Sequence, residues 1–351
     1  MKRRGALLAL SSLALPACAS APPPLATPLP APPLHLAPVT DLFAAAGLDW
    51  LVMLRPSELA RTMAAQIAKV LPAANLDKLA AHLGFDVRLA DALVIGGYGE
   101  TTLYAIQVVH DGRAAEQRFA ERLSSDVERA TDGRIRRTSG RIGTVPRAFA
   151  DLDETVLLYE VGAPGPLKAA LAFSQGKLKR AKPALATEPL AELQKRLGDA
   201  PVLAMAPRPS RVGWVQGAHG LLSHATSIGG AATPDAEGLR LRGVALGAWD
   251  EPPTEALKRL ESTVADVARS MLGRLMGLDQ PLAVPSFGGD REGIRFEATV
   301  DASKLAEGLW AATSAELGEL FGKRLARQPR STTAAPACAS ACWKLWSVVR
   351  F

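Results

Sequence analysis

The sequence predicts an α+β fold, because short apolar strands alternate with amphipathic helices along most of the chain. Two further observations support this class. Of the 351 residues, 48% are hydrophobic and 22% are charged, which is a globular composition. A strand followed directly by a helix recurs in both halves, so we expect a repeated βαββα-type unit, such as two ferredoxin-like subdomains with antiparallel or mixed sheets.

The first half, placed at residues 41–185 with a linker at its end, begins with an apolar strand at 51–54. A helix opened by Pro56 follows, with apolar residues at helical spacing: Leu59, Met63, Ile67 and Val70. The turn-forming sequence Gly97–Glu100 separates two strands and predicts a hairpin. The remaining predicted elements are strands at 92–97, 103–109, 134–137, 145–149 and 156–161, and helices at 114–129 and from Pro166.

The second half, placed at residues 186–328, starts again with a strand at 201–205. The pattern then predicts a helical region at 209–228, strands at 239–249, 282–287 and 293–300, and helices through 257–275 and 303–325. Segments 156–171 and 294–309 share an alternating strand, a turn and a helix start. They indicate a degenerate duplication.

The first 17 residues have the pattern of a secretory signal peptide. Lys2, Arg3 and Arg4 precede a short uncharged apolar run, and small residues stand at the expected cleavage site. The sequence Leu15-Pro16-Ala17-Cys18 resembles the lipobox of bacterial lipoproteins. That resemblance implies that Cys18 is acylated and becomes the new N-terminus, and Ala19 after it implies the outer membrane. The alternative is an ordinary signal peptide with an incidental cysteine.

Residues 18–40 form the predicted lipidated cysteine and tether. The segment 21–38 contains eight prolines and no charge, which favours an extended chain of roughly 55 Å. Removal of the signal peptide takes away three basic residues and no acidic one, so 38 basic residues face 35 acidic ones and the net charge falls from +6 to +3. This small excess gives little reason to expect a nucleic-acid partner. The predicted partners are the membrane, through the anchor, and an envelope protein, a lipid or a cell-wall polymer.

Candidate catalytic residues are sparse. Ser174, in Ala172–Gly176, faintly resembles the nucleophile elbow of α/β-hydrolases, but it follows a helix-like stretch instead of a strand. The alternative is a helix end capped by Gly176. The group Asp151–Glu154 could hold Ca²⁺, but the EF-hand spacing and its invariant glycine are absent, which favours a solvated turn. His219 and His224 are five residues apart, which is wrong for a metal pair on one helix face. We therefore predict no metal and no cofactor.

Two surfaces are candidates for binding. Val212–Pro234 has no charged residue, and its apolar residues at helical spacing include Trp214 and Ile228. It forms either an apolar surface or gate for a lipid or partner, or a core helix followed by a loop at Gly229-Gly230. A cluster of arginines predicts a cationic strand face for an anionic ligand, with a solvated surface as the alternative. Its members are Arg134, Arg136, Arg137, Arg141 and Arg147.

The C-terminal segment 329–351 is a low-complexity tail that ends in an aromatic and apolar sequence. Cys338 and Cys342 could form a disulfide in an oxidising envelope compartment. The sequence carries no convergent catalytic set. We therefore expect a non-catalytic, lipid-anchored envelope protein that serves as a binding or assembly module. The alternatives are an envelope hydrolase that uses Ser174, and an assembly subunit in which Trp214 faces solvent.

Overall fold

The computed structural model describes residues 38–70, 73–177, 182–209, 218–235, 238–250 and 252–308. These residues belong to one compact unit built around a single twelve-stranded sheet. The predicted signal peptide, most of the tether and the tail lie outside the described residues, as do Cys18, Trp214, Cys338 and Cys342.

The sheet is antiparallel at every strand pairing, which confirms the α+β prediction. Its strands are β1 (Trp50–Leu54), β2 (Ala92–Tyr98), β3 (Thr101–Gln107), β4 (Ser125–Asp132), β5 (Ile135–Ile142), β6 (Val145–Leu152), β7 (Val156–Val161), β8 (Val202–Pro207), β9 (Ala225–Pro234), β10 (Leu239–Gly247), β11 (Ser286–Gly289) and β12 (Gly293–Val300). Their order across the sheet is β11-β12-β10-β9-β8-β1-β2-β3-β7-β6-β5-β4.

The helices connect these strands and cover both faces of the sheet. They are α1 (Pro56–Thr62), α2 (Ala64–Val70), α3 (Ala73–Leu83), α4 (Gly112–Ala120), α5 (Pro166–Ser174), α6 (Leu190–Leu197), α7 (Thr254–Arg269) and α8 (Met271–Leu275), together with a helix at 302–308. Short 3-10 helices lie at Val39–Leu42, Val87–Leu89, Ala184–Ala186 and Ala218–Ser223.

The two halves of the chain repeat the same strand order around the central β1–β8 pair. The order β1-β2-β3-β7-β6 in the first half matches β8-β9-β10-β12-β11 in the second half. A helix follows β3 and β10, and another follows β7 and β12, at the positions of the two segments that resemble each other in sequence. The first half contains the additional hairpin β4–β5.

The strand order is not that of a ferredoxin-like unit, so this part of the prediction is wrong. A split β-α-β unit leaves a strand between its first two strands, which run parallel. Here β1 pairs directly with β2 in antiparallel register, with Val52 opposite Ile95. Three short helices, α1 to α3, connect the two strands, so the chain returns in the opposite direction to lie beside the strand it left.

The helix predicted at 114–129 ends early, at Ala120, and Ser125–Asp132 forms β4 instead. Gly133 has a φ of 60°, which allows a tight turn between β4 and β5. β4 is the last strand of the sheet and pairs with β5 at Ser125 and at Glu128–Asp132. Val127, at helical spacing from Phe119 in the sequence, is 48% exposed on this edge strand.

The helical region predicted at 209–228 is also wrong in its second part, because Ala225–Pro234 forms β9. Gly229 and Gly230, predicted to form a loop, lie inside this strand. It is flanked by β8 and β10, which satisfy its backbone hydrogen bonds on both sides. Tertiary pairing therefore overrides the weak strand preference of a segment rich in Ala, Gly and Ser.

The core consists of two apolar layers on opposite faces of the sheet. On one face, α5 and α6 pack over Leu51, Leu103 and Leu158. On the other face, α3 and α4 cover the first half, where Phe119, Phe149 and Tyr159 pack with ring centres 5.2–5.9 Å apart. Over the second half, α7 and the 3-10 helix Ala218–Ser223 cover the same face. This second cover leaves a space between itself and the sheet.

Candidate functional site

An apolar cavity of about 290 Å³ lies between the sheet and the cover formed by α7 and the 3-10 helix Ala218–Ser223. Its floor is made by strands β1, β8, β9, β10 and β12, so it extends across the junction of the two halves. The described residues that line it include no Asp, Glu, Lys, Arg or His. A cavity with such a lining excludes charged ligand groups and suits an apolar one.

Small residues on neighbouring strands create the space. Two rows of residues run across neighbouring strands at the cavity floor. One row contains Ala204, Gly230 and Gly243, and the other contains Ala206, Ile228, Ala245 and Ile294. A Cβ atom at Gly230 would meet only the carbonyl oxygen of Arg242, at 3.6 Å. Gly230 therefore borders open space, whereas a Cβ at Gly243 would collide with the ring of Phe296.

The roof of the cavity consists of aliphatic side chains. Leu221 and Leu222 come from the 3-10 helix, and Leu260 and Thr263 come from α7. The hydroxyl of Thr263 donates to the carbonyl of Arg259 at 2.7 Å within its own helix. This lining hydroxyl is already engaged, so it does not make the roof polar.

One exposed contact ties the two parts of the roof together. His219 Nε2 lies 2.8 Å from a carboxylate oxygen of Asp266 on α7. His219 has a φ of 53°, so the 3-10 helix is kinked where this contact forms. Both side chains are about half exposed, so the contact is a weak link and not a rigid one. His224 is exposed five residues further on.

The arginine cluster predicted as an anionic-ligand surface is largely neutralised. Arg134 pairs with Asp153 at 3.0 Å, and Arg141 lies 3.6 Å from a carboxylate oxygen of Asp126. Arg137 is exposed and forms no ion pair within the described ranges. The sequence shows where the positive charges lie, but the carboxylates come from β4 and from the β6–β7 turn. These residues therefore do not form the predicted cationic face.

Arg136, the fourth member, belongs to a buried polar network with Asp151 and His110. One oxygen of Asp151 lies 3.0 Å from His110 Nε2, and the other accepts from Arg136 Nη1 at 3.2 Å. The second ring nitrogen of His110 lies 2.8 Å from the carbonyl oxygen of Val108. Burial lowers the pKa of His110, but the hydrogen bonds to Asp151 and Val108 outweigh it and raise the pKa above its ordinary value.

This network is structural in its geometry. Both nitrogens of His110 face acceptors, so the protonated imidazolium satisfies the site best. The side chains of His110 and Asp151 are 0% and 1% exposed, which leaves them without contact with solvent. Asp153 and Glu154 have φ values of 57° and 59° and form the β6–β7 turn. The group Asp151–Glu154 is thus a turn in which one carboxylate is buried, and no described group of three or more His, Cys, Asp or Glu side chains is arranged to hold a metal ion.

Ser174 stands at the end of α5 and not at a strand-to-helix turn. Its hydroxyl is buried and donates to the carbonyl of Leu171 at 2.9 Å. Gln175 caps the helix, and Gly176, with a φ of 64°, comes after it and turns the chain away. Within the described residues no hydrogen bond joins Ser174 to a histidine, so the geometry that the hydrolase alternative requires is not present there.

The cavity was only partly visible in the sequence. Part of its floor and roof belongs to the charge-free segment Val212–Pro234, which predicts either an apolar surface or a core element. The remaining lining residues come from β1, β8, β10, β12 and α7. These side chains meet only through the strand register and the packing of α7, so no local sequence signal could have identified them. None of the described helices combines the length and the apolar character that crossing a bilayer requires.

Comparisons with known proteins give a limited result. No protein-family model matches the chain, and no curated protein matches it. Crystal forms I, III and IV of TP0453 align with it at TM-scores of 0.46, 0.47 and 0.46 and at 9%, 9% and 10% identity. The alignments cover 79%, 79% and 78% of this chain and 98%, 98% and 97% of that chain. At these scores the likeness carries no argument about function.

Proposed function

We propose that this chain is a lipid-anchored envelope protein whose folded body binds an alkyl chain without converting it chemically. The observation that carries the proposal is the apolar cavity of about 290 Å³ beneath α7. Its lining offers contacts to methylene groups and no charged partner. A binding role also fits the placement of Ser174, whose hydroxyl is engaged within its own helix.

The volume of the cavity suggests the size of the ligand. An apolar cavity of about 150 Å³ accommodates benzene, which has six carbon atoms. A cavity about twice as large accommodates roughly twelve. The absence of charge in the described lining implies that a polar headgroup stays outside, at the edge of the cavity. Acyl chains of intermediate length are therefore the proposed ligand class.

The anchor is the second part of the proposal, and the sequence supports it. Lys2, Arg3 and Arg4, the short apolar run and Cys18 in the lipobox-like sequence favour cleavage and acylation at that cysteine. Acyl chains on the cysteine would hold the body near the membrane through the proline-rich tether. Ala19 after the cysteine favours the outer membrane. Such a location brings the body close to a source of acyl chains.

Binding of dodecanoate to the purified protein tests the cavity, with calorimetric titration below the micellar concentration as the assay. Gly230→Val places methyl groups in the open space above Gly230, so we expect its affinity to fall by about tenfold or more. Gly288→Val is the matched control, because its Cβ would meet only Arg295 Nε, at 3.8 Å, on β11 away from the cavity. Equal affinity in the Gly230→Val variant and the wild type would overturn the proposal.

The anchor is tested by the mass and the detergent partitioning of the full chain and of Cys18→Ser. We expect the native chain to carry acyl mass and to enter the detergent phase, and the variant to lose both properties. If both proteins are unmodified and stay in the aqueous phase, the anchor proposal is wrong.

A further inference from the structure

A second group of cationic side chains, which we call the basic hollow, lies over the first half of the sheet. It consists of His82, Arg122 and Arg147. His82 is in the last turn of α3, Arg122 follows α4, and Arg147 is on β6, on the face that carries Phe149. The hollow is separate from the cavity, because none of its three residues lines the cavity. It is built from three different elements.

The distances place Arg122 against His82 and over the ring of Phe119. Arg122 Nη1 lies 3.4 Å from His82 Nε2, and the guanidinium carbon of Arg122 stands 5.7 Å from the centre of the Phe119 ring. Arg122 Nε donates to the carbonyl of Arg118 at 3.2 Å, which holds the guanidinium over the aromatic floor. Arg122 is partly buried and His82 is exposed, so the hollow opens to solvent at His82.

Like charges lie close to His82 and to Arg122. Burial lowers the pKa of His82 most, and the charges of Arg122 and Arg118 lower it further. Burial also lowers the pKa of Arg122, the nearby Arg147 adds to this effect, and Tyr159 opposes it. No described carboxylate acts on His82 or Arg122 in this way. The arginines of β5 differ, because Arg134, Arg136 and Arg141 each face a carboxylate.

A bound anion would offset these like charges. Guanidinium groups present paired N–H donors that fit the oxygens of a phosphate group, and His82 gains a favourable partner for its protonated form. An aromatic floor lowers the local dielectric and strengthens the attraction. We propose that His82, Arg122 and Arg147 form a binding site for a phosphate-type anion, either free phosphate or the headgroup of an anionic phospholipid.

If an anion binds at this site, His82 should take up a proton on binding, which a merely structural cluster would not do. His82 faces Arg118 and Arg122 from the side of α4, and Lys78 stands one turn earlier on its own helix. All three of these groups are cationic, and Glu121 pairs with Arg118 at 3.1 Å. In the free protein, burial and the charges of Arg122 and Arg118 therefore hold the pKa of His82 below its ordinary value. An anion between Arg122 and His82 reverses the sign of the local field and raises the pKa of His82. Phosphate affinity therefore rises as the pH falls.

The first experiment follows the His82 ring proton by NMR across a pH titration, in inorganic phosphate and in sodium chloride of equal ionic strength. His82→Asn assigns the resonance, and because His82 is exposed this variant is expected to fold. We expect the midpoint to move to higher pH in phosphate. Vesicles that contain phosphatidylglycerol replace free phosphate in a second arm, with phosphatidylcholine alone as the comparison. A higher His82 midpoint in either arm supports the site and identifies the source of the anion. An unchanged midpoint in both arms overturns the proposal.

Matched variants separate a site from general attraction. Arg122→Met keeps the apolar stem over Phe119 and removes the charge, so we expect the affinity for the anion that raises the His82 midpoint to fall by about tenfold or more. Arg137→Met removes one exposed charge on β5 and should leave that affinity nearly unchanged. Arg147→Met provides a second test on a different element. Equal losses in the Arg122 and Arg137 variants would overturn the proposal.

Discussion

Replacing Asp151 with asparagine should reveal how strongly the buried network stabilises the first half of the sheet. The carboxylate is 1% exposed and uses both oxygens, one toward His110 Nε2 and one toward Arg136 Nη1. It also accepts the backbone N–H of Glu154 at 3.0 Å. Asparagine has an NH₂ group, which can only donate, in place of one of these oxygens. It therefore turns a donor toward either the histidine or the arginine. Arg136 keeps its ion pair with Glu154 at 3.4 Å, whereas the buried His110 loses its anionic partner.

The expected cost follows from this geometry. Removing one partner of a buried, hydrogen-bonded charge pair lowers the free energy of unfolding by about 3–5 kcal/mol. For a domain of this size that loss corresponds to a fall in melting temperature on the order of 10 °C. The matched control is Asp153→Asn, two residues along, where the aspartate pairs with Arg134 and both side chains are at least one third exposed. Its expected cost is about 0–1 kcal/mol.

The assay is thermal and urea unfolding of the wild type and both variants at several pH values. His110 has a pKa raised above its ordinary value in the folded state. The contribution of His110 to the free energy of unfolding is therefore fully present below about pH 6.5, and it is lost as the pH rises through the pKa of the folded state. The difference in the free energy of unfolding between the wild type and Asp151→Asn should become smaller as the pH rises over that range. Equal destabilisation by the Asp151 and Asp153 variants, or a difference independent of pH, would refute the reasoning.

Three other substitutions give stability predictions that unfolding experiments check. Glu160→Gln keeps an acceptor for two backbone N–H groups at the start of α5 and should cost less than about 1 kcal/mol, whereas Glu160→Ala leaves them unpaired and should cost about 1–3 kcal/mol. Gly162→Ala should lower the free energy of unfolding by more than about 1 kcal/mol, because its φ is 114° and the new Cβ would lie 2.8 Å from a backbone oxygen of the β2–β3 turn. Gly165→Ala should lower it clearly less, because Gly165 faces open space and has a φ of 171°. Phe149→Ala, at 0% exposure, should cost about 3–5 kcal/mol, against about 0.5 kcal/mol or less for the exposed Val127→Ala; similar losses in both would contradict the packing described for the aromatic layer.

Most strands were predictable because their local signals were strong. The turn at Gly97–Glu100 and the apolar runs on either side located the β2–β3 hairpin to within two residues. The periodicity from Leu257 to Leu275 predicted a helix that the structure divides into α7 and α8 at Ser270. In these segments the local preference and the tertiary environment agree.

The errors arose where distant parts of the chain decide the outcome. The spacing of Ala218, Leu221, Ala225 and Ile228 mimics a helix face, but the last two residues are on a strand that β8 and β10 hold in place. Sequence also placed the arginines of β5 on one surface without showing the carboxylates that neutralise them. The cavity depends on the same kind of information, because its small residues come together only when five strands are in register.

The internal repeat gives the cavity a simple origin. One row of residues crosses the first half on the face covered by α3 and α4: Val52, Ile95, Tyr104, Tyr159 and Phe149. The equivalent row crosses the second half in the same strand order: Ala204, Gly230, Gly243, Phe296 and Phe287. Thus the positions filled by an isoleucine and a tyrosine in one copy hold glycines in the other.

The second copy therefore lacks part of the core that the first copy contains. The pocket of about 290 Å³ occupies the space that larger side chains fill in the first copy. A molecule that fills the space supplies the missing contacts and is, in effect, a removable piece of the protein interior. Binding of such a molecule to the folded protein therefore raises the melting temperature of the whole sheet, and the rise grows with the concentration of free ligand.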